Sequence, residues 1–253
     1  MSRILLIVLI VLMTACSSTK EKDETRSAEE FYTSGKKALD IGDYETAIKE
    51  FESLEARYPF GNYSQQAQLD IAYAYYRNDD PDEAVAAADR FIKLYPRHKH
   101  VDYLYYLRGL ARFNQGYGYF EYKFSLDISK RDPRTTREAF QYFSELITRF
   151  PDSQYAVDAR QRMIALRNQL AVYEMHVADY YMRRGAYVAA AKRAKYVVEE
   201  LPQTPATADA LALMASAYRQ LGIDDLADDA LRVLERNNEE HPALTGAESR
   251  AIR

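Results

Sequence analysis

Tryptophan is absent from this chain, and cysteine occurs once, at Cys16. A lone cysteine forms no internal disulfide and supplies no paired CxxC motif for zinc or redox work. Glycine and proline are scarce, at 9 and 8 of 253 residues, which suits helices joined by short turns better than a β-sandwich or barrel. Positive charge is not in excess. The formal net charge is -4, and nucleic-acid proteins usually carry a basic stripe, so no nucleic-acid partner is expected. Histidine is limited to His98, His100, His176 and His241. His98 and His100 stand two apart and cannot share a helix face. With no HExxH pattern either, neither a metal nor another cofactor is expected.

Catalytic settings are missing too. The Glu-Ser pairs at Glu52-Ser53 and Glu248-Ser249 lack the Gly-rich surroundings of lysozyme-like cell-wall enzymes. One carboxylate alone does not make a glycosidase. The acidic cluster Asp224, Asp225, Asp228 and Asp229 lacks the Gly and the closing Glu of a calcium loop. It reads as helix N-terminal charge that complements the helix dipole. No catalytic residue is assigned, and the chain is not expected to be an enzyme.

What is present begins with a folded body: 47% of residues are hydrophobic and 28% charged. Ahead of it, Arg3 is a short positive region and Ile4 to Met13 an apolar run. The run is too short for a bilayer span of about 20 residues but fits a signal-peptide core. It ends in Met13-Thr14-Ala15-Cys16, which resembles a bacterial lipobox with Met13 where Leu is usual. The reading is a lipoprotein signal peptide over 1–15 and a covalent lipid on Cys16. Ser17, rather than Asp, after the cysteine implies sorting to the outer membrane. Residues 17–27, SSTKEKDETRS, hold no large apolar side chain and extend the lipidated Cys16 into a flexible tether over 16–27. At about 3.3 Å per residue such a tether reaches roughly 35 Å.

The body repeats itself. Residues 35–59 read GKKALDIGDYETAIKEFESLEARYP, which places Gly35, Ala38, Gly42, Tyr44, Ala47, Phe51 and Pro59 in the tetratricopeptide register. Ala47 and Phe51, four apart, share one helix face. The pattern recurs at Ala72, Tyr75, Ala84, Ala88, Phe91 and Pro96, and again at Gly109, Ala139, Phe143, Leu146 and Pro151. A fourth copy has Ala178, Tyr181, Gly185, Tyr187, Ala190, Ala194 and Pro202. The fifth has Ala215, Tyr218, Gly222, Ala227 and Leu231, with Pro242 displaced. The predicted fold is all-α, a tetratricopeptide-type helix-turn-helix repeat solenoid of about five repeats. An insert over 114–132 lengthens the third repeat, and extra helix over 155–168 precedes the fourth. This divides the body into repeats one to three over 28–151 and repeats four and five over 152–238, with a polar tail over 239–253.

Several tyrosines fall outside the packing slots. Tyr73, Tyr76, Tyr103 and Tyr106 match first-helix positions that line the concave groove in repeat proteins, as do Lys36 and Arg77, and Tyr63 is expected to border them on this register. Tyrosines with a few cations suit an extended peptide that carries aromatic side chains and a carboxylate. The plainer alternative is inter-repeat packing with solvated cations.

Beyond the generic repeat, RYPFGNYSQQAQLDIAYAYY at 57–76 resembles the hallmark stretch of the BamD family, lipoproteins of the outer-membrane β-barrel assembly machinery. RFIKLYPRHKHVDYLYYLRG at 90–109, DISKRDP at 127–133 and VADYYMRRGAYVAAAKR at 177–193 are similar to that family as well. The resemblance runs from the lipobox to about residue 236. It implies a lipid-anchored scaffold on the periplasmic face of the outer membrane. The implied partners are the periplasmic POTRA domains of the barrel subunit BamA, the lipoproteins BamC and BamE, and unfolded outer-membrane β-barrel clients. It further implies that the C-terminal repeats hold BamA, with Arg193 in the matching AAAKR segment as the contact, and that the N-terminal repeats meet BamC and clients. A pilotin-like lipoprotein that assists secretin or pilus assembly would share the lipobox and the repeats but lack the RYPFGNYSQQAQ segment.

Overall fold

The computed structural model of the protein describes residues 25–115 and 133–244. The lipobox with Cys16, most of the tether, residues 116–132 of the insert and the end of the polar tail lie outside the described residues. Ten α-helices and no strand are found among the described residues. They run as α1 Ala28–Asp40, α2 Tyr44–Arg57, α3 Asn62–Arg77, α4 Pro81–Leu94 and α5 Val101–Gln115. After the insert come α6 Arg134–Arg149, α7 Ala156–Arg183, α8 Tyr187–Glu200, α9 Thr207–Gln220 and α10 Asp224–Asn237. The five successive pairs correspond to the five repeats of the sequence, and the fold is of tetratricopeptide type.

Local chemistry sets the helix ends. Ser27 and Glu30 form a capping box at the start of α1, and the Asp43 carboxylate accepts the Thr46 amide at the start of α2. Pro81 opens α4, where its missing N–H costs nothing. The turn within four of the pairs needs one residue in the left-handed region. Gly42 (φ +81°), Gly185 (+73°) and Gly222 (+68°) supply it in three, and Asp79 (φ +63°) in the fourth, a residue type that tolerates this conformation.

The second helix of each pair carries the small and large residues that interlock. Ala47, Phe51 and Leu54 are fully buried on α2, as are Ala139, Phe143 and Leu146 on α6. Gly35 and Gly109 sit opposite the two phenylalanines. A Cβ at Gly35 would lie 2.5 Å from the Phe51 ring, and one at Gly109 would lie 2.4 Å from the Phe143 ring. Only a residue without a side chain allows that approach. In the last pair Leu234, not Leu231, is the fully buried leucine. Leu231 packs at the margin against Ala215 and Ala227. The extra helix before the fourth repeat is continuous with that repeat's first helix, giving the 28-residue α7.

The chain forms two compact units, one ending at Leu107 and the other beginning at Arg108. The core of the first gathers Phe31, Phe51, Ile71 and Phe91 with Leu104 and Leu107. That of the second is built around Ala171, Ala194 and Val197, continuing through Ala190, Ala217 and Ala227. The repeat grouping 28–151 and 152–238 follows sequence motifs and is a separate division. Among the described residues no helix is long and apolar enough to cross a membrane.

Candidate functional site

Within the first unit an open cleft of about 650 Å³ lies between the first helices of the repeats. α1 contributes Lys36, Leu39 and Asp40, and the turn after it contributes Ile41 and Gly42. Tyr44 opens α2 at the rim. α3 contributes Leu69, Asp70, Tyr73 and Arg77, and α5 contributes Tyr103. Leu69, Tyr73 and Arg77 are spaced by four, so one stripe of α3 faces the cleft.

Arg77 is the exposed cation of this stripe. Its Nη1 donates to the Tyr73 hydroxyl at 2.7 Å, and its guanidinium lies 4.9 Å from the Tyr44 ring centroid and 5.7 Å from that of Tyr73. The hydrogen bond to Tyr73 is the main reason its pKa is raised. No carboxylate pairs with it among the described residues. A guanidinium near two phenol rings, with one N–H spent on Tyr73, keeps its other N–H groups for a ligand, and the planar fork matches a carboxylate.

Lys36 is committed differently. Its Nζ stands 3.8 Å from Asp70 Oδ2. Asp70 is a buried carboxylate that also accepts from the Tyr32 hydroxyl at 3.0 Å and from Gln66 Nε2 at 3.4 Å. Burial raises its pKa, while Lys36 and the Tyr32 bond pull it back. Burial together with the Asp70 charge drives the Tyr32 hydroxyl well above the ordinary phenol range. The Lys36–Asp70 pair therefore adds little net charge to the cleft, and Arg77 is the cation left for a ligand, with Asp40 as the other carboxylate of the lining.

Four of the seven sequence-predicted groove residues, Lys36, Tyr73, Arg77 and Tyr103, converge on the cleft. Tyr76 and Tyr106 are partly buried but do not line it. Each follows its partner tyrosine by three positions, which on a 100° helix turns it about 60° around the axis. The Tyr73 and Tyr76 rings meet at 6.4 Å, tilted, so Tyr76 supports Tyr73 from the side. Tyr63 lies in the first turn of α3, packed on Tyr32 with ring centroids 5.6 Å apart. Asp40, Asp70 and Tyr44 are the polar members of the lining that sequence reasoning did not assign to the groove. Asp70 interrupts an otherwise apolar run, LDIAYA, and that interruption was the available signal.

In the second unit Arg193 does not project freely from α8. Its Nη1 donates to Glu174 Oε2 at 2.9 Å, and Arg137 Nη2 donates to Glu174 Oε1 at 2.8 Å. Glu174, on α7, has a side chain only 2% exposed. A buried carboxylate clamped by two half-exposed arginines ties α6, α7 and α8 together. The bond to Glu174 raises the pKa of Arg193.

The family model described as Outer membrane lipoprotein, YfiO, matches residues 24–234. An outer membrane protein assembly factor BamD of Neisseria meningitidis serogroup A is 44% identical over 254 residues, covering 98% of this chain and 95% of that protein. The protein of that name from Xylella fastidiosa strain Temecula1 is 40% identical, covering 95% of this chain and 83% of its own length. The one from Vibrio cholerae serotype O1 is 38% identical, with 89% and 94% covered.

Proposed function

The chain belongs to the YfiO family of outer membrane lipoproteins, and on that premise we propose that it is a lipid-anchored scaffold of the β-barrel assembly machinery. It acts in outer membrane protein assembly, as the named activity of its relatives indicates. The single observation that carries the reading is the length of the match, which runs from the tether through the last helix of the fifth repeat. A match that long takes in the hallmark segments as well as the repeat signature.

The anchor is the acylated Cys16, holding the body on the periplasmic face of the outer membrane. Two or more acyl chains make such attachment durable. The second unit docks on the POTRA domains of BamA, with Arg193 contributing through the edge of its guanidinium that Glu174 leaves open. The first unit meets BamC and unfolded clients, and BamE completes the set. The protein performs no chemistry of its own.

The cleft is the client site in this reading. A barrel protein ending in an aromatic residue with a free carboxylate would lay its ring on Tyr73 and Tyr103 and its carboxylate on Arg77. Tyrosine gives large contact area at small entropic cost. The client is extended, so its main chain can follow the stripe of α3 while Asp40, at the rim, accepts amide N–H groups. Purification in mild detergent, followed by identification of the retained proteins, tests the function. Recovery of a large barrel protein with POTRA domains is expected. Recovery of a secretin would favour a pilotin role instead, and release of muropeptides would point to cell-wall enzymology.

A further inference from the structure

We propose that one edge of the first unit, formed by Phe60 and the basic loop at residues 97–100, docks on the phospholipid surface of the membrane that holds the chain's own anchor. The proposal rests on the lipid-anchor reading of Cys16 and adds an orientation to it.

Phe60 is 87% exposed, the most exposed large apolar side chain among the described residues. It is not loosely hung. Pro59 fixes the backbone before it, and Gly61, at φ +111°, turns the chain sharply after it into α3. A stiff turn that holds a phenylalanine out in solvent leaves its apolar area free to be buried against a surface, at little further cost in ordering.

One repeat further along, the loop before α5 reads Arg97-His98-Lys99-His100, with Arg97 and Lys99 exposed. The loop is ordered. The His98 amide donates to the Tyr95 carbonyl at 3.0 Å, and the Val101 amide to the His98 carbonyl at 3.0 Å. The His98 ring stands edge-on to the buried Phe91 at 5.1 Å. A shallow concavity of about 430 Å³ joins the loop to Gln65 in the first turn of α3, directly after the Phe60 turn. The start of α3 has no side-chain cap, so its amide dipoles open to the same edge.

The folded chain also begins here. The Tyr58 hydroxyl donates to the Arg26 carbonyl at 2.8 Å, which places the start of the fold against the Phe60 turn. From Cys16 to Arg26 a tether spans about 33 Å at full extension. A body leashed that closely presents to the bilayer the edge from which the leash leaves. The neighbouring acidic groups are occupied: Glu30 caps Ser27, Glu50 pairs with Arg26, and Glu29 accepts from Tyr63. The loop before α5 therefore offers two exposed cations to anionic headgroups and the Phe60 turn one apolar wedge, while the exposed carboxylates of Glu29 and Glu30 sit on α1. Cations near such a surface and an inserted aromatic act together. The cleft is built from the opposite ends of α1 and α3, at Asp40 and Arg77, so docking leaves it facing away from the lipid.

The chain has no tryptophan, so Phe60→Trp gives a single reporter. Residues 1–15 are the signal peptide on the anchor reading, so the chain from Cys16 onward is used. Its only cysteine, Cys16, is coupled to a maleimide-headgroup lipid, which tethers the body whether or not cells acylate that residue. On vesicles of phosphatidylethanolamine and phosphatidylglycerol, the Phe60→Trp reporter should shift to shorter wavelength and be quenched by brominated lipid. Ile41→Trp, in the turn at the far end of α1, should do neither. Adding Arg97→Gln and Lys99→Gln should weaken docking about fivefold per charge, or about 25-fold together. Equal quenching at positions 60 and 41 would overturn the proposal, as would quenching at 60 that ignores both charge removals. Mass spectrometry of Cys16 from cells tests the anchor reading separately.

Discussion

Gly35→Ala should destabilise the first unit, although alanine is the better helix former. In the helix interior the change is worth up to about 1 kcal/mol in favour of alanine. Against that, the new Cβ would meet Phe51 Cε1 at 2.5 Å, Cδ1 at 2.8 Å and Cζ at 3.0 Å. Carbon atoms settle near 3.5–4.0 Å, so the ring must retreat by about 1 Å. Phe51 is fully buried and cannot swing to solvent, and Tyr32 lies 6.1 Å away on its flank. Overpacking of this kind costs about 1–3 kcal/mol, so after the propensity gain the net loss is up to about 2 kcal/mol. For a chain of this size that lowers the melting temperature by up to about 8 °C, read by circular dichroism. Phe51→Leu in the Gly35→Ala background should recover part of the loss, because the two positions couple directly. A Gly35→Ala protein as stable as the parent, or more so, would refute the close-approach account of the helix pairs.

Single removal of Arg137 or Arg193 should be tolerated at about 1–2 kcal/mol, whereas losing both leaves Glu174 buried without a partner and should cost about 3–5 kcal/mol, measured by denaturant midpoints. Arg193→Glu should abolish retention of BamA, and a melting curve on the same sample separates lost contact from lost fold. Asp70 has a folded pKa raised above its unfolded value, so its protonated form favours folding and that contribution is lost as pH rises through the raised value. Asp70→Asn should therefore match the parent below about pH 4 and gain stability relative to it by pH 7, in urea midpoints at both pH values. Cys16→Ala should release the protein from the outer membrane with an unchanged melting temperature, since the described cores contain nothing N-terminal to the tether.

The repeat was legible because its signal is local. Ala and Phe four apart, with a glycine turn ahead and a proline behind, mark one helix pair without reference to any other. The same locality placed Tyr73, Tyr103, Lys36 and Arg77 on the cleft, since first-helix slots recur at the repeat period. It misjudged Tyr76 and Tyr106, where a three-residue step turns the side chain about 60°. Charge partnering was harder to read. Asp70 is satisfied by Tyr32, 38 residues earlier, and Glu174 by Arg137 and Arg193 on two other helices. Those contacts depend on the rotation of packed helices about their axes, which the repeat pattern leaves open. Nothing in the sequence announced that Arg193 would be half engaged within its own unit.

On the proposed function, the first unit receives the end of an unfolded barrel chain through an aromatic surface and one cation. Fluorescence anisotropy with two labelled peptides, both ending in phenylalanine, one with a free carboxylate and one amidated, tests it directly. The free-ended peptide should bind about tenfold more tightly, equivalent to about 1.4 kcal/mol. Arg77→Glu should erase that difference while changing the amidated peptide about twofold or less, and Tyr73→Ala should weaken both peptides. Equal affinity for the two peptides, unmoved by either substitution, would contradict the claim and leave the tyrosines as packing between repeats.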